Sequence, residues 1–424
     1  FKGRQVTSAE SRMVSLSPVL LGLPIGLMLL NLLLRQAGAF PPEFSDEANW
    51  LGLLQLTDGG YDPPVSGPLF VYVMRAAREH LSLGLPVIFD SVAIMCSGLT
   101  LALVLSGYRQ HLPNTTLIKS AAITLLITSY FLAPALEARP QQLGVALAFL
   151  VCLQVTTHPQ TSTGWLLVVL LPLAFWHVLS FFVVIAYLSA CKLTLWRLGS
   201  LRGGAIFQWL VLASSLTGLL IGSRAYRPLL EDVLANHVAG QFTLALWPIF
   251  YVALVTCFCA LPARLWEKAR ALCLSHVNSV LTIIFLLSAV AMIVQWHLLP
   301  RTAVQYYGGS AVAFCTWHAG NAAFGFCYLL GLQSFLRGEA KGLQAFVSGS
   351  VILLVLASFA LAASFFLPYE NLMIRILYFW IPFAAPVSAL GLGKLFSGIG
   401  KFRYVAFIFL FMASLSHVVR FSML

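Results

Sequence analysis

Residues 86–106 have the sequence PVIFDSVAIMCSGLTLALVLS, an almost uninterrupted apolar run of 21 residues. As a helix, a run of this length can cross the roughly 30 Å hydrocarbon core of a bilayer. Comparable runs recur along the chain at residues 13–34, 204–222, 242–261, 280–298 and 346–367. The sequence therefore predicts an all-α, polytopic integral membrane protein.

The composition of the chain agrees with this prediction. Of its 424 residues, 60% are hydrophobic and only 9% are charged, and the mean hydropathy is +0.90. A soluble protein has about 25% charged residues, so this chain has too little polar surface to cover a water-soluble domain. No polar mature domain follows the first apolar run, as would be expected after a signal peptide, so we interpret it as a retained first span. The eight cysteines have no metal-ligand or disulfide spacing and are interpreted as core residues.

The distribution of charge predicts the topology. The net charge is +11, from 25 Lys and Arg against 14 Asp and Glu. Cytoplasmic loops of membrane proteins collect Lys and Arg, so this excess does not indicate a nucleic-acid partner. The acidic segment Pro41–Asp62 contains no Lys or Arg and is expected to face outward. The basic segments expected on the cytoplasmic side are the N-terminus and residues 108–119, 192–202, 264–270, 337–341 and 394–403.

The apolar segment Gly164–Ala190 has to cross the membrane twice for this topology to hold. As a single span it would put the basic residues from Lys192 onward, and every later basic loop, on the outer side. We therefore predict an outward element at about Trp165–Phe175 and a returning element at about Val178–Trp196. Trp176 and His177 then form an outer turn, and the chain has about 13 spans.

The strongest candidate for a chemical site is FSDEANW, residues 44–50, just after the first span. Asp46 and Glu47 are adjacent, so on a helix their side chains diverge by about 100°. One carboxylate at a partly dry site could act as a general base, while the other holds a neighbour or a divalent cation. Alternatively, Ser45 or Asp46 only caps a short helix that begins near Glu47.

A second candidate is EARPQ, residues 137–141, at the outer end of the third span. An arginine binds phosphate through two parallel hydrogen bonds and stays charged. Pro140 begins the next helix, so Arg139 is expected near a helix N-terminus, where anions are favoured. In the alternative interpretation, Arg139 pairs with Glu137 or Asp46 and only holds the loop.

Further candidates occur at other predicted outer ends. His177 could be a proton relay, a hydrogen-bond donor to substrate, or a structural residue beside Trp176. Arg375 lies one turn inside a late span, where an arginine is costly and usually binds a ligand or a partner such as Glu370. The remaining candidates are Arg224, Arg227 and Arg301 for phosphate, and Tyr61, Trp176 and Glu137 for substrate.

Residues 69–83 are predicted to form an amphipathic helix in the membrane interface. Leu69, Val73, Ala76 and Ala77 would face lipid, with the charged side chains towards water. Such a helix could support a lipid-linked substrate, or it could be an ordinary surface helix with snorkelling arginines.

The order of these motifs resembles that of the GT-C membrane glycosyltransferases, particularly the protein O-mannosyltransferase and aminoarabinose transferase branch. The resemblance covers about the first 190 residues and residues 371–395. The chain lacks the large C-terminal outer domain of that branch. The matching features are Asp46-Glu47 after the first span, a loose Pro63-Pro64…Pro68-Leu69 stretch, Ala138-Arg139-Pro140 after the third span, His177 at a short turn, and a late span with Arg375, Pro382 and Pro386.

This resemblance implies a catalytic membrane module at 1–203 and a helical membrane module at 204–424, with no large soluble domain. The donor would be a polyprenyl-phosphate-linked sugar, with Asp46 as the base and Glu47 beside it. Arg139 and Arg375 would stabilise the leaving phosphate. The acceptor would be a lipid, glycan or protein, and a partner subunit could supply acceptor binding.

The resemblance also implies a location and leaves two alternative functions. The protein is expected in a bacterial inner membrane, surrounded by membrane lipids, with its site on the periplasmic or outer face and no required metal. One alternative is a flippase or transporter for a lipid-linked saccharide. The other is a polysaccharide polymerase or ligase, which usually has its arginines and histidine in one large late outer loop. The late outer loops are short here.

Overall fold

A computed structural model of the chain describes residues 18–39, 46–57, 67–158, 161, 163–197, 199, 201–226, 279, 311–340, 342–364, 371–397 and 402–420. Helices are the only regular secondary structure in these ranges, which confirms the all-helical prediction. The predicted spans at 242–261 and 280–298 lie outside the described residues. The total of 13 spans therefore stays a prediction.

The described helices are numbered here in chain order. They are α1 (Pro18–Gln36), α2 (Asp46–Thr57), α3 (Pro68–Leu81), α4 (Leu85–His111), α5 (Thr115–Leu126), α6 (Ser129–Leu136), α7 (Pro140–Thr157), α8 (Thr163–Trp176), α9 (Val178–Arg197), α10 (Gly203–Ile221), α11 (Ala311–Leu336), α12 (Gln344–Ser364), α13 (Asn371–Ser397) and α14 (Phe402–Arg420).

Several of these helices have the length and composition of membrane spans. In the described part of the chain, α4, α7, α9, α10 and α13 each meet both requirements, and the bent pair α5 and α6 would make a sixth span. The segments Leu20–Gln36, Trp165–Trp176, Gln344–Ser358 and Val405–Leu415 are shorter apolar helices. These findings support an integral membrane protein.

Helices α4, α7, α9 and α13 run in the same direction. Thr100 of α4 donates to the carbonyl of Gln142 near the start of α7, and the rings of Tyr108 and Phe149 meet further along both helices. Helix α9 follows α7, from Gly144 against Ser180 to Thr156 bonded to Tyr187. Helix α13 also follows α7, from Arg139 over Tyr378 to Phe149 against Phe383. Their first turns therefore share one end of the bundle, called the site end below.

The predicted break between α8 and α9 is confirmed, because α8 ends at Trp176 and α9 begins at Val178. Helix α10 shows that these two helices are antiparallel. Its early residue Trp209 donates to Ser189, well along α9, and Tyr226, after its end, donates to the carbonyl of Ala174 at the end of α8. Leu167, near the start of α8, lines a cavity with Leu212 and Ser215 of α10. Helix α10 therefore runs opposite to α9 but in the same direction as α8. Helices α8 and α9 thus form a hairpin, whose turn lies at the site end.

The predicted third span at residues 116–133 is not one helix. Helices α5 and α6 meet at an angle of 78° around Ile127 and Thr128. The bend frees backbone groups, which need partners within a membrane. Ser414 of α14 donates to the carbonyl of Ile127, Thr128 accepts from the N–H of Tyr130, and Asn321 of α11 bonds the Thr128 side chain. Contacts between distant helices therefore stabilise the bend.

Helix α3 forms nearly where it was predicted, and a further face of it packs against the protein. Phe70 and Met74 are fully buried, and Phe70 packs edge-to-face on Trp50, Phe89 and Trp176. Val73 and Ala76, two of the four residues predicted to face lipid, are exposed. Leu69 and Ala77, also predicted to face lipid, are half-buried. Aromatic packing against the protein therefore decides the orientation of α3.

Helix α13 packs closely on α11 and α4. A Cβ atom on Gly391 would collide with the carbonyl of Cys327 in α11, so only glycine permits this approach. Pro386 has no N–H to donate to the carbonyl of Pro382, four residues earlier. The hydroxyl of Tyr108 donates to that carbonyl instead, at 2.7 Å.

The hydrophobic core is continuous across residue 203, the predicted boundary between two modules. Phe149, from the first part, lies against Phe346 and Phe383, from the second part. All three belong to one buried cluster. The division of the chain at residue 203 into a catalytic module and a second helical module therefore remains a prediction about function.

Candidate functional site

Arg35, in the last turn of α1, forms a buried ion pair with Glu47, in the first turn of α2. Its Nη1 lies 2.7 Å from Oε1 of Glu47, and its Nη2 lies 2.5 Å from Oε2. Both side chains are only 3% exposed. Two parallel charge-assisted hydrogen bonds are the strongest arrangement for this pair, and such a pair is retained in a dry site only when its other polar groups are also bonded.

The remaining hydrogen bonds of this pair tie α1 and α2 to the end of α6. Glu47 Oε2 accepts from the N–H of Ala138 at 2.7 Å. Arg35 Nη2 donates to the carbonyl of Leu136, and Asn31 donates to the same carbonyl at 3.0 Å. The segment that precedes Arg139 is therefore held by side chains from the first two helices.

Arg35 also binds Asp90, near the start of α4. The distance between Arg35 Nη1 and Asp90 Oδ1 is 2.5 Å, and the Asp90 side chain is 49% exposed. The sequence analysis missed both residues as members of this site. Their positions inside or at the end of apolar runs were the available signal, because charged residues there are usually paired or functional.

Glu47 is a structural clamp in this arrangement. Both of its carboxylate oxygens accept hydrogen bonds, from Arg35 and from Ala138. In the described part of the chain, no three His, Cys, Asp or Glu residues are grouped so as to hold a metal ion. Asp46 is the first residue of α2, directly before Glu47, and its side chain lies outside the described part.

Arg139 immediately precedes Pro140, the first residue of α7, as predicted. Its Nε lies 3.1 Å from Oε2 of Glu137, and both side chains are nearly buried. Its Cζ lies 5.5 Å from the centre of the Tyr378 ring in α13. The proposed pairing with Glu137 is thus present. A guanidinium has five N–H donors, so this contact does not exhaust the capacity of Arg139 to bind a second acceptor.

His177 caps the N-terminus of α9 with its own side chain. Its Nδ1 accepts from the backbone N–H of Ser180 at 3.2 Å and lies 2.7 Å from the Ser180 hydroxyl. A backbone N–H can only donate, so Nδ1 is the acceptor and the proton of the neutral ring is on Nε2. His177 therefore has a structural role and presents Nε2–H as a donor, which favours the hydrogen-bond donor over the proton relay.

Trp176 links three helices at the site end. Its Nε1 donates to the carbonyl of Pro140 at 2.8 Å, and its ring meets Phe70 of α3. Its carbonyl lies so close to Gly67 that a Cβ there would come within 2.5 Å. Trp176 was predicted to bind substrate, and these contacts give it a role in packing.

Two of the other predicted arginines, Arg375 and Arg224, lie within the described residues. Arg375 is half-buried on α13, three residues before Tyr378 and hence on the same face of that helix. Arg224 begins a short 3₁₀ turn whose Tyr226 stacks on Phe175 of α8. The other predicted residues, Tyr61, Arg227, Arg301 and Glu370, lie outside the described residues.

Two adjacent glutamines in the first turn of α7 were also missed by the sequence analysis. Gln142 Nε2 donates to the carbonyls of Ala93 and Ala135, which joins α7 to α4 and α6. Gln141 is 3% exposed, and its Nε2 has no hydrogen-bond partner among the described residues. Glutamine carries no charge, so neither residue contributed to the charge distribution from which the topology was predicted.

The site end therefore combines Glu47, Glu137, Arg139, Gln141 and His177 within a frame of apolar helices. Arginine, amide and imidazole donors lie near a helix N-terminus, where the backbone N–H groups also favour anions. A comparison of the sequence with known protein families and with curated proteins finds no match.

Proposed function

We propose that this protein is a glycosyltransferase of the GT-C type, which transfers a sugar from a polyprenyl-phosphate donor to an acceptor at the outer membrane face. The observation that carries the proposal is the hydrogen bond between Glu47 and the N–H of Ala138. Asp46 directly precedes Glu47, and Arg139 directly follows Ala138. Neighbouring Cα atoms are 3.8 Å apart, so this bond draws the backbone of the candidate base close to that of the candidate phosphate ligand.

In the proposed reaction, Asp46 accepts a proton from a hydroxyl or amine of the acceptor. The nucleophile attacks the anomeric carbon, the bond between that carbon and the phosphate oxygen breaks, and the configuration is inverted. Polyprenyl phosphate leaves with the bonding electrons. Arg139 and Arg375 stabilise the negative charge on the leaving phosphate. Glu47 remains paired with Arg35 and holds the first turn of α2 in position.

The same proposal includes the finer topology. The chain has about 13 spans, and the site end faces the periplasm or cell exterior in a bacterial inner membrane. Basic loops on the opposite side support this orientation. The acceptor is a lipid, glycan or protein, and a partner subunit can supply the acceptor-binding surface.

A transporter for a lipid-linked saccharide is the second candidate, and the bend between α5 and α6 is the observation that favours it. Broken helices often form the substrate sites of secondary transporters. At this bend, however, Asn321 bonds both Thr128 and Ser129, and Ser414 bonds the Ile127 carbonyl. These polar groups satisfy one another, so we expect a packed joint rather than a transport site.

The decisive experiment compares wild-type protein with Asp46→Asn in membranes supplied with labelled polyprenyl-phosphate sugars. Removal of a general base should lower the transfer rate by about 10²–10⁴-fold. Glu79→Gln, at an exposed position of α3, is the matched control and should leave the rate unchanged. Undiminished transfer by Asp46→Asn would exclude Asp46 as the base. Transbilayer movement of the intact donor, without a new glycosidic bond, would establish the transporter instead.

A further inference from the structure

Gln141 has a buried amide whose Nε2 lacks a hydrogen-bond partner within the described residues. Gln141 and the neighbouring Gln142 are both at least 97% buried. The amide of Gln142 donates to two carbonyls, whereas that of Gln141 does not do so in the described part of the chain. A buried donor without an acceptor is rare in folded proteins and usually marks a place where water or a ligand supplies the acceptor.

The position of Gln141 directs this amide towards the proposed site. Gln141 and Gly144 are three residues apart and so lie on the same face of α7. Gly144 packs against the start of α9, where a Cβ atom would come within 3.4 Å of His177 Cβ and even closer to the Ser180 hydroxyl. Helical side chains lean towards the N-terminus, so the Gln141 amide extends over the first turn of α7, on the side of His177.

The groups in this region are mainly hydrogen-bond donors. They are Gln141 Nε2, the Nε2–H of His177 and the guanidinium of Arg139, which lie near the N-terminus of α7. Glu137 is the carboxylate at the same place, and it contacts the Nε of Arg139. A ligand that accepts from the Gln141 amide at this place must offer acceptor oxygens, and a phosphate does so with a charge that the helix N-terminus and a guanidinium favour.

We propose that Gln141 is a phosphate-binding residue, which donates from Nε2 to an oxygen of the lipid phosphate held by Arg139. This inference rests on the proposed function, because it identifies the ligand of the same site. It also explains why the buried amide of Gln141 lacks a partner within the described residues, although the amide of the adjacent Gln142 has two.

The test uses the purified full chain, with polyprenyl phosphate, inorganic phosphate and the unphosphorylated polyprenol as probes. Binding is measured from the rise in the midpoint of thermal unfolding as each probe is titrated. Gln141→Leu should bind polyprenyl phosphate about tenfold more weakly, which corresponds to about 1.4 kcal/mol. Gln141→Glu should bind it more weakly still, because a carboxylate repels phosphate. Gln110→Leu, at an exposed position at the far end of α4, is the control and should bind as wild type does.

The unfolding midpoint without ligand separates this role from a structural one. Gln141→Leu should unfold at the same temperature as wild type or higher, because it removes an unbonded buried amide. A lower midpoint with unchanged phosphate affinity would overturn the proposal, and so would equal affinity for polyprenol and polyprenyl phosphate. If the binding of polyprenyl phosphate depends on Gln141 but the protein transfers no sugar, the proposed glycosyltransferase activity is refuted, whereas the proposed phosphate site is retained. If the binding of inorganic phosphate depends on Gln141 as strongly as the binding of polyprenyl phosphate does, the site is assigned to free phosphate.

Discussion

The carboxylate of Glu47 accepts a hydrogen bond from the backbone N–H of Ala138, although 91 positions separate the two residues in the sequence. Arg35 completes the contact by donating to Glu47 and to the carbonyl of Leu136. The ends of α1, α2 and α6 are thus one hydrogen-bonded unit. A change in this unit is expected to affect both the fold and the position of Arg139.

Replacement of one partner in the ion pair should strongly destabilise the protein. Arg35→Gln leaves the buried carboxylate of Glu47 without its counterion, and we expect a loss of about 3–5 kcal/mol in the free energy of unfolding. Glu47→Gln should cost less, because Arg35 keeps its ion pair with Asp90. Denaturant-induced unfolding in detergent, followed by tryptophan fluorescence, measures this loss. Glu79→Gln, on the exposed side of α3, is the control. A loss below about 1 kcal/mol for Arg35→Gln would show that the pair does not hold these helices together.

Tyr108→Phe should destabilise the contact between α4 and α13. The variant leaves the buried carbonyl of Pro382 without the donor that replaces the missing N–H of Pro386. Hydrogen bonds between membrane helices contribute about 0.6–1.7 kcal/mol, so we expect a loss in this range. Tyr72→Phe is the matched control, because Tyr72 is 59% exposed. Equal stability of the two variants would contradict this role for Tyr108.

Gly391→Ala should separate α11 from α13. The added methyl group would collide with the carbonyl of Cys327, and overpacking of this kind costs about 1–3 kcal/mol. Gly393, on the same helix, has no atom within 4 Å of an added Cβ. Gly393→Ala should therefore be neutral or slightly stabilising, since alanine favours a helix over glycine. Comparison of the two midpoints of thermal unfolding measures the difference, and equal destabilisation would disprove the close approach.

Cysteine labelling tests the hairpin of α8 and α9. In a chain without native cysteines, Leu83→Cys and Gly222→Cys should react with a membrane-impermeant thiol reagent from the outside. Gln110→Cys and Arg202→Cys should react only after the membrane is opened. All four positions are exposed. If residues 164–196 formed a single span, the accessibility of positions 202 and 222 would be exchanged.

The sequence predicted those parts of the fold that depend on hydropathy and on counted charges. The apolar runs gave α4 and α10 almost within their observed bounds, and the basic residues beyond Lys192 required the break at His177. The bend between α5 and α6 could not be predicted, because its stability comes from Asn321 and Ser414, which are nearly 200 or more residues away. Local sequence contains no information about such partners.

Only part of the candidate site was predicted, because local sequence does not identify partners that lie far away along the chain. Arg139 was found because proline marks the start of α7, and its contact with Glu137 was one of the two interpretations considered. Arg35 and Asp90 were missed, because an isolated charge in an apolar run does not identify its partner. Gln141 was missed because its importance depends on burial and on an unbonded amide, which only the three-dimensional arrangement reveals.

In the proposed topology α8 crosses the membrane, and its shortness then has a consequence for the surrounding bilayer. Its 14 residues extend over about 21 Å, whereas the hydrocarbon core is about 30 Å thick. A bilayer accommodates such a mismatch by thinning around the short helix. The headgroup layer should therefore dip beside the His177 turn, and a lipid that diffuses to this place would reach the first turn of α7 while its phosphate remains in contact with water.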